Sequence, residues 1–344
     1  MMRFERWAGM GVALLGAALL AHAGTDYPIP AAVQNENRGK VEACRAGAYW
    51  SKAPFACCAV TPLAGVRRTP DRFPHDGKFT APVRIVAAQG EYEPGSFQLF
   101  AFEDLPSVEL KAGDLAGEGR ARLPASAIDL KVVKIWYQMG TAWNGFHADH
   151  LRRLPTPELL LRNEKLIRVD HEKQENYLLC DYGGGVSRYR WISFTGAAVD
   201  HTYDGWIRNE WIHDADVLQP VALQKNAFKQ FMVTVHVPET ASPGVYRGEI
   251  SASVGGSRVL GIPLEVRVLP FRLPRPATFR DLNREFYGSA FIGGLNISRA
   301  HKLARNLVAH NVLNPLLPQI PTDLAAREFF EMAQATGIST NPLL

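Results

Sequence analysis

Phe231-Met232-Val233-Thr234-Val235-His236-Val237, the run from Val245 to Val254, Gly255-Gly256, and Ile262-Pro263-Leu264-Glu265-Val266-Arg267-Val268 decide the fold. Phe231, Val233, Val235 and Val237 alternate with Met232, Thr234 and His236. On the return run Ile262, Leu264, Val266 and Val268 hold every second position. Successive side chains of a strand face opposite sides of its sheet, so a period of two marks a strand with one apolar face. A proline-bearing turn, Pro238 to Gly244, joins the first two runs. Gly255-Gly256 supplies the positive φ angles of a tight hairpin. The pattern predicts an antiparallel sheet with one buried side, the unit of a β-sandwich.

Upstream, Val83 to Ala87 and Ser96 to Phe102 read as strands joined through Gly90 to Gly95. Ile128 to Tyr137 continues the alternation, with Leu130, Val132 and Lys134 on one side and Val133, Ile135 and Tyr137 on the other. Residues 24–80, rich in proline and poor in periodic stretches, read as an irregular N-terminal segment, and residues 81–270 as the sandwich region. Residues 271–276, within Pro270 to Pro276, form a stiff proline-rich linker.

Beyond it the period changes. Thr278 to Tyr287 reads as a strand. Ser298 can cap a helix in which Ala300, Leu303, Ala304, Leu307 and Val308 share one face. Val312 to Leu317 reads as a second strand. Thr322 can cap a second helix with Ala326, Phe329, Phe330 and Ala333 on one face and Gly337 as its stop. Ile338 to Leu344 reads as a third strand. The order β-α-β-α-β is that of a parallel sheet with crossover helices. The fold class expected is mainly β: an antiparallel β-sandwich followed by an incomplete βαβαβ segment at 277–344, like the start of a (β/α)8 barrel. A complete barrel needs about 250 residues, and 277–344 supplies 68. The expectation is a chain cut off within the barrel.

The N-terminus carries Arg3 and Arg6, then an apolar run from Ala8 to Leu20, then Ala21-His22-Ala23 before Gly24. That is the pattern of a secretory signal peptide over residues 1–23. The run is shorter than the ~20 residues that span a bilayer, so export without membrane insertion after cleavage is expected, to a periplasm or beyond the cell. Of 344 residues, 47% are apolar and 21% charged, an ordinary globular mix that excludes disordered and collagen-like classes. The net charge of +4 is spread without a basic block, so nucleic acid is not an expected partner. An oxidising compartment permits pairing among Cys44, Cys57, Cys58 and Cys180. Three connectivities are open. Adjacent Cys57 and Cys58 cannot bridge each other without strain, which favours Cys44 with one of them and leaves Cys180 for the other.

Searches for catalytic patterns are negative. The chain has no Gly-x-Ser-x-Gly nucleophile elbow, and Gly183-Gly184-Gly185 lacks the lysine of a phosphate loop. No Cys-x-x-Cys pair points to zinc. His147, Asp149 and His150 read as a solvated loop. Asp200, His201, Asp204, His213, Asp214 and Asp216 lack a calcium-loop frame. No metal site and no cofactor is expected. Aromatic residues are dense between 136 and 211: Trp136, Trp143, Trp191, Trp206 and Trp211, with Tyr137, Tyr189 and Tyr203. Such rings fill cores or stack on sugar rings. Trp136, Trp143 and Trp206 are taken as candidates for glycan contact. The barrel rule, which puts functional groups at strand C-termini, adds Glu285, Tyr287 and Gln319.

Gly90-Glu91-Tyr92-Glu93-Pro94 with Ser96-Phe97, Val132 to Gln138, Pro157-Glu158-Leu159-Leu160-Leu161, Val237-Pro238-Glu239 and Pro243-Gly244-Val245-Tyr246-Arg247-Gly248 occur in collinear order. Together they resemble the N-terminal sandwich region of secreted proteins similar to glycoside hydrolase family 123. The resemblance covers most of the chain from about Val60 onward and implies a following (β/α)8 catalytic barrel. It further implies hydrolysis of terminal β-linked N-acetylhexosaminides, with the substrate's acetamido group as nucleophile and an adjacent Asp-Glu pair assisting. This sequence contains no Asp-Glu dipeptide. Its acidic residues after the linker are Asp281, Glu285, Asp323, Glu328 and Glu331, and its one adjacent acidic pair is Glu103-Asp104, in reverse order. No catalytic residue carries over. The expected partner is a glycan or glycoconjugate; the alternative is a non-catalytic carbohydrate-binding or structural sandwich.

Overall fold

The computed structural model describes residues 26–138, 152–193, 207–273, 297–309, 312 and 323–338. The chain opens with helix α1 (Ala31–Ala43) and strands β1 (Phe55–Val60), β2 (Val83–Gln89), β3 (Tyr92–Ala101) and β4 (Leu105–Ala112). Two short strands follow, β5 (Leu115–Ala116) and β6 (Arg122–Leu123), then β7 (Ile128–Gln138) and β8 (Leu154–Leu161). Next come β9 (Ile167–Asp170), β10 (Glu175–Asp181), β11 (Ser187–Trp191) and β12 (Val221–Leu223). The last strands are β13 (Phe228–His236), β14 (Gly244–Val254) and β15 (Ser257–Arg272), before helices α2 (Ile297–Ala309) and α3 (Asp323–Thr336).

The fold is mainly β, with antiparallel sheets, as the alternation predicted. One sheet has the order β1-β3-β13-β7-β8, and the other β12-β4-β14-β15-β2 with β5 and β6 alongside. The hairpin at Gly255 and Gly256 forms as expected, both with positive φ. Its neighbour differs from expectation: β13 lies in the first sheet and β14 and β15 in the second, so the turn from Pro238 crosses between layers. The second sheet also holds one parallel pair, β15 with β2. Phe97 and Phe231 stack at 5.2 Å between the layers, both fully buried. At Gly95 the layers come so close that a Cβ would sit 2.9 Å from Ile85 Cγ1. Glycine there leaves room for the opposite sheet.

The segment expected to be irregular, 24–80, is corrected. It contains α1 and β1, and β1 pairs with β3 from Phe55–Ala101 to Val60–Ser96. Its physical role explains why periodicity missed it. β3 is buried at every residue from Gly95 to Ala101, so its sheet has apolar side chains on both faces. The face turned from the sandwich core carries Phe100, which meets Phe228 and Phe102. Trp50, Phe73 and Phe79 close over them, and Arg38 and Lys40 of α1 lie over Phe102 and Phe73. Fully buried Trp50 donates its indole N–H to the Phe79 carbonyl at 2.6 Å. The residues that cover the sheet do so from loops, where no period applies.

The linker boundary also moves: Phe271 and Arg272 belong to β15, and 274–276 lie outside the described residues. After it, α2 and α3 form where the helical spacing placed them. Ala304, Phe329, Met332 and Ala333 make a small apolar cluster, joined by Leu307 and Val308. Ser298 falls inside α2 instead of capping it, and Phe330 is exposed while Met332 is buried. Gly337 takes φ +86° and donates to the Ala333 carbonyl, ending α3 as predicted. The expected strands 278–287 and 313–317, and 339–344 of the last strand, lie outside the described residues, as does the segment 1–23. Among the described residues no helix is long and apolar enough to cross a membrane.

Truncating a fully buried aromatic leaves a cavity that costs about 3–5 kcal/mol. Trp50→Ala is expected to lower the stability of the whole sandwich by that order in urea titration, in one transition shared with Phe231→Ala. A separate early transition for Trp50→Ala would show that the N-terminal segment is only an appendage.

Candidate functional site

β7 pairs with β13 only from Ile128 to Val132. Beyond Val132 the two strands part, and β7 continues with β8 on its other edge as far as Gln138. The register with β8 slips between Lys134 and Ile135: Lys134 faces Leu159, Ile135 faces Pro157, and Glu158 is left over. Glu158 is therefore the extra residue of a β-bulge, a device that re-aims one side chain out of the alternation. Its Oε2 accepts the indole N–H of Trp136 at 2.7 Å and the side-chain amide of Gln138 at 2.9 Å. Among the described residues its Oε1 has no partner. Trp136, Gln138 and Glu158 are each half-buried. The arrangement offers an indole ring held by its edge, a carboxylate oxygen and an amide, the groups that meet the apolar face and the hydroxyls of a sugar.

The open edge of β7 is taken over by a three-stranded sheet, β11-β10-β9. Buried Asn176 of β10 acts as a strand partner: its Oδ1 accepts the Tyr137 N–H at 2.8 Å and its Nδ2 donates to the Tyr137 carbonyl at 2.7 Å. The Tyr137 hydroxyl meets His171 Nδ1 at 3.1 Å, and the Tyr27 ring stands edge-on to His171. Burial, aided by the Lys134 charge, pulls His171 down to about 4, so its ring is neutral at pH 7. Lys134 follows on the same strand. Burial pulls its amine down to about 8, against the attraction of Glu164. Glu164 accepts from Lys229 Nζ at 2.6 Å and from the Ala222 N–H at 3.0 Å. Burial opposes its charge, but Lys229 and Lys134 outweigh it and keep the carboxyl below its usual range. This charged cluster closes the end of the sandwich where β7 and β13 diverge.

Of the residues singled out from the sequence, Trp136 falls in the bulge site. Trp143, Trp206, Glu285, Tyr287 and Gln319 lie outside the described residues, as do His147, Asp149, His150, Asp200, His201 and Asp204. Asp214 accepts the backbone N–H groups of Arg162 and Asn163 at 2.9 and 2.8 Å, a loop-fixing role. Asp104 accepts the Lys225 N–H at 2.7 Å. Glu328 and Glu331 lie on α3. The expected disulfides are corrected: Cys44, Cys57, Cys58 and Cys180 are all free thiols. Cys57 and Cys58 are opposite Leu99 and Gln98, so they face opposite sides of the sheet, and Cys180 lies in β10 of the three-stranded sheet. Burial pushes the Cys57 thiol up to about 12 and Cys58 well above its usual value, so neither is a reactive thiolate. Sequence reasoning missed Glu158 and Gln138 as site residues. The signal available was the pair of prolines, Pro155 and Pro157, in a strand that must then be an edge or a bulge.

No family model matches the chain, and no curated protein matches it. Among solved structures it is similar to a family 123 glycoside hydrolase from Clostridium perfringens, with 11% identity over 83% of this chain and 46% of that one, at a TM-score of 0.48. It also matches CfaE, the adhesive subunit of CFA/I fimbria of enterotoxigenic Escherichia coli, at 11% identity over 62% of this chain and 50% of that one, TM-score 0.22. The chain thus spans about half the length of the structures it matches.

His171 titrates near 4 when folded, below its ordinary 6.5. The unfolded chain therefore binds the proton first, and stability is lost as pH falls from 6.5 towards 4, by at most about 1.4 kcal/mol per pH unit for one group. His171→Asn is expected to flatten the fall in stability over that window. Parallel curves for the two proteins would show that the ring is not held neutral.

Proposed function

We propose that this chain is the sandwich region of an exported carbohydrate-processing protein, the N-terminal part of a glycoside-hydrolase-like enzyme, and that it contacts glycan through Trp136, Gln138 and Glu158. The observation that carries the reading is the bulge that turns Glu158 onto Trp136 and Gln138. A bulge disrupts a ladder, and it is retained where it re-aims a side chain. The Trp136 indole is fixed by one edge, so it needs no ordering when a sugar ring stacks against it. The second carboxylate oxygen of Glu158, without a partner among the described residues, is an acceptor for a sugar hydroxyl.

Two further features support the reading. Val132 to Gln138 and Pro157 to Leu161, two of the segments that resemble glycoside hydrolase family 123, are hydrogen-bonded neighbours here and together build the bulge. The first 23 residues carry the pattern of an export signal. The parent activity in this reading is hydrolysis of N-acetylhexosaminides assisted by the substrate's acetamido group. With no Asp-Glu dipeptide in the sequence, this chain contributes binding and leaves bond cleavage to other residues.

Calorimetric titration with neutral β-linked N-acetylhexosaminide oligosaccharides tests the site. Trp136→Ala is expected to weaken binding at least tenfold, the scale of about 1.5 kcal/mol for a stacked ring. Glu158→Ala is expected to weaken it several-fold. The chain is expected to release no sugar from a chromogenic N-acetylgalactosaminide. Absence of binding, or binding indifferent to Trp136→Ala, sinks the carbohydrate reading in favour of a structural sandwich.

A further inference from the structure

The three-stranded sheet has two unlike faces. One carries Ile167, Val169, Asn176, Leu178, Cys180 and Arg190, all buried. On the other, the register sets Arg168, Tyr177 and Trp191 side by side in one row, with Leu179 and Tyr189 in the next. None of these five is buried, and Arg168 is exposed. Aromatic area is thus spent on a face the core does not need.

Arg168 is held in an unusual way. Its guanidinium carbon lies 4.5 Å from the Tyr177 ring centre and 4.6 Å from that of Tyr189. Both rings are themselves anchored: the Tyr177 hydroxyl donates to Glu175 Oε2 at 2.8 Å, and the Tyr189 hydroxyl donates to the Lys165 carbonyl at 2.6 Å. Two anchored rings therefore hold the guanidinium in place. Among the described residues no carboxylate pairs with it. The nearest acidic neighbours on this face are engaged elsewhere. Glu175 takes the Tyr177 hydroxyl and lies 3.7 Å from Arg153. Asp170 accepts the Glu172 and Lys173 N–H groups at 3.1 and 3.0 Å. A guanidinium held between two rings, with no hydrogen-bond partner among the described residues, matches the paired oxygens of a carboxylate or a sulfate.

We infer that this face is a second carbohydrate-contacting surface, selective for an acidic sugar, in which Arg168 binds the carboxylate or sulfate while Tyr177 and Tyr189 hold its guanidinium in place. The inference rests on the carbohydrate reading above, and adds to it a charge preference and a separate location. Trp191 supplies apolar area beside the charge. A lysine at 168 would keep the charge and lose the two-oxygen geometry of the guanidinium.

The test uses the whole chain and a panel of oligogalacturonates, chondroitin sulfate oligosaccharides and neutral N-acetylhexosaminide oligosaccharides, with poly-L-glutamate as a polyanion without sugar. The acidic oligosaccharides are expected to bind at least tenfold more weakly to Arg168→Gln, with Arg168→Lys close to Arg168→Gln, and with Trp136→Ala unchanged. Preference within the acidic pair tells carboxylate from sulfate. Arg168 is exposed, so the variants fold, which their unchanged thermal midpoints verify. Acidic sugars bound no better than neutral ones, equal binding by Arg168→Gln, or equal retention of poly-L-glutamate would each overturn the inference. Absence of neutral-sugar binding by the unsubstituted chain, with the acidic response intact, would overturn the Trp136 site and leave this one standing.

Discussion

β3 has no solvent face. From Gly95 to Ala101 every residue is buried, so its sheet must be covered twice, once by the opposing sheet and once by something else. The second cover is the N-terminal segment, which brings Trp50, Phe73 and Phe79 against Phe100, Phe102 and Phe228. An exposed aromatic cluster of this size would be a large apolar patch on the surface. Buried charge on the cover is also matched: Arg68, itself buried, forks onto Asp76 at 2.8 and 2.5 Å. That pair, through two hydrogen bonds, holds the Asp76 carboxyl well below the usual carboxylate range. The sandwich is thus a three-layer object along β3 and a two-layer object elsewhere.

The candidate site follows from where that layering stops. The cover reaches Phe228 at the start of β13, while the rest of that face is half-buried, and β7 leaves β13 after Val132. A strand that leaves its neighbour exposes backbone groups, and these must be paired. The Asn176 amide supplies both partners for Tyr137, which docks the three-stranded sheet at that point. The remaining gap holds Lys134, Lys229 and Glu164, a charged plug in place of apolar side chains. On the other edge of β7 the ladder to β8 absorbs the bend through the Glu158 bulge. Divergence, docking and bulge are one event seen from three sides, and the site residues lie on it.

The sequence reports some of this directly. The hairpin at Gly255-Gly256, the alternating strands around it and the two late helices were legible because their apolar residues repeat at the period of the element that buries them. The layer assignment of β13 against β14 was not, since a turn of a given length can stay in a sheet or cross between sheets. The N-terminal cover was not legible because Trp50, Phe73 and Phe79 act one at a time from loops. In β7 the alternation was read straight through to Tyr137. Burial instead changes sides between Val132 and Val133, and the bulge opposite, at Glu158 of β8, is set by two strands at once, which no single run of residues records. Glu158 was visible only as part of a motif and Gln138 only as the end of one. Trp136 was visible by its type.

The same logic separates two kinds of aromatic residue that composition lumps together. Trp50 is fully buried, with its indole N–H spent on a backbone carbonyl. Trp136 is half-buried, with its N–H on a carboxylate whose other oxygen has no partner among the described residues. Tyr177 and Tyr189 are half-buried, with hydroxyls tied down and ring faces given to a guanidinium. Anchoring a ring from its polar end leaves its orientation fixed before any ligand arrives, which lowers the entropy a ligand must overcome. A core tryptophan anchored this way gains only stability. A surface tyrosine pair anchored this way holds a charged group in place that has no acidic partner among the described residues, an arrangement suited to a partner from outside the chain.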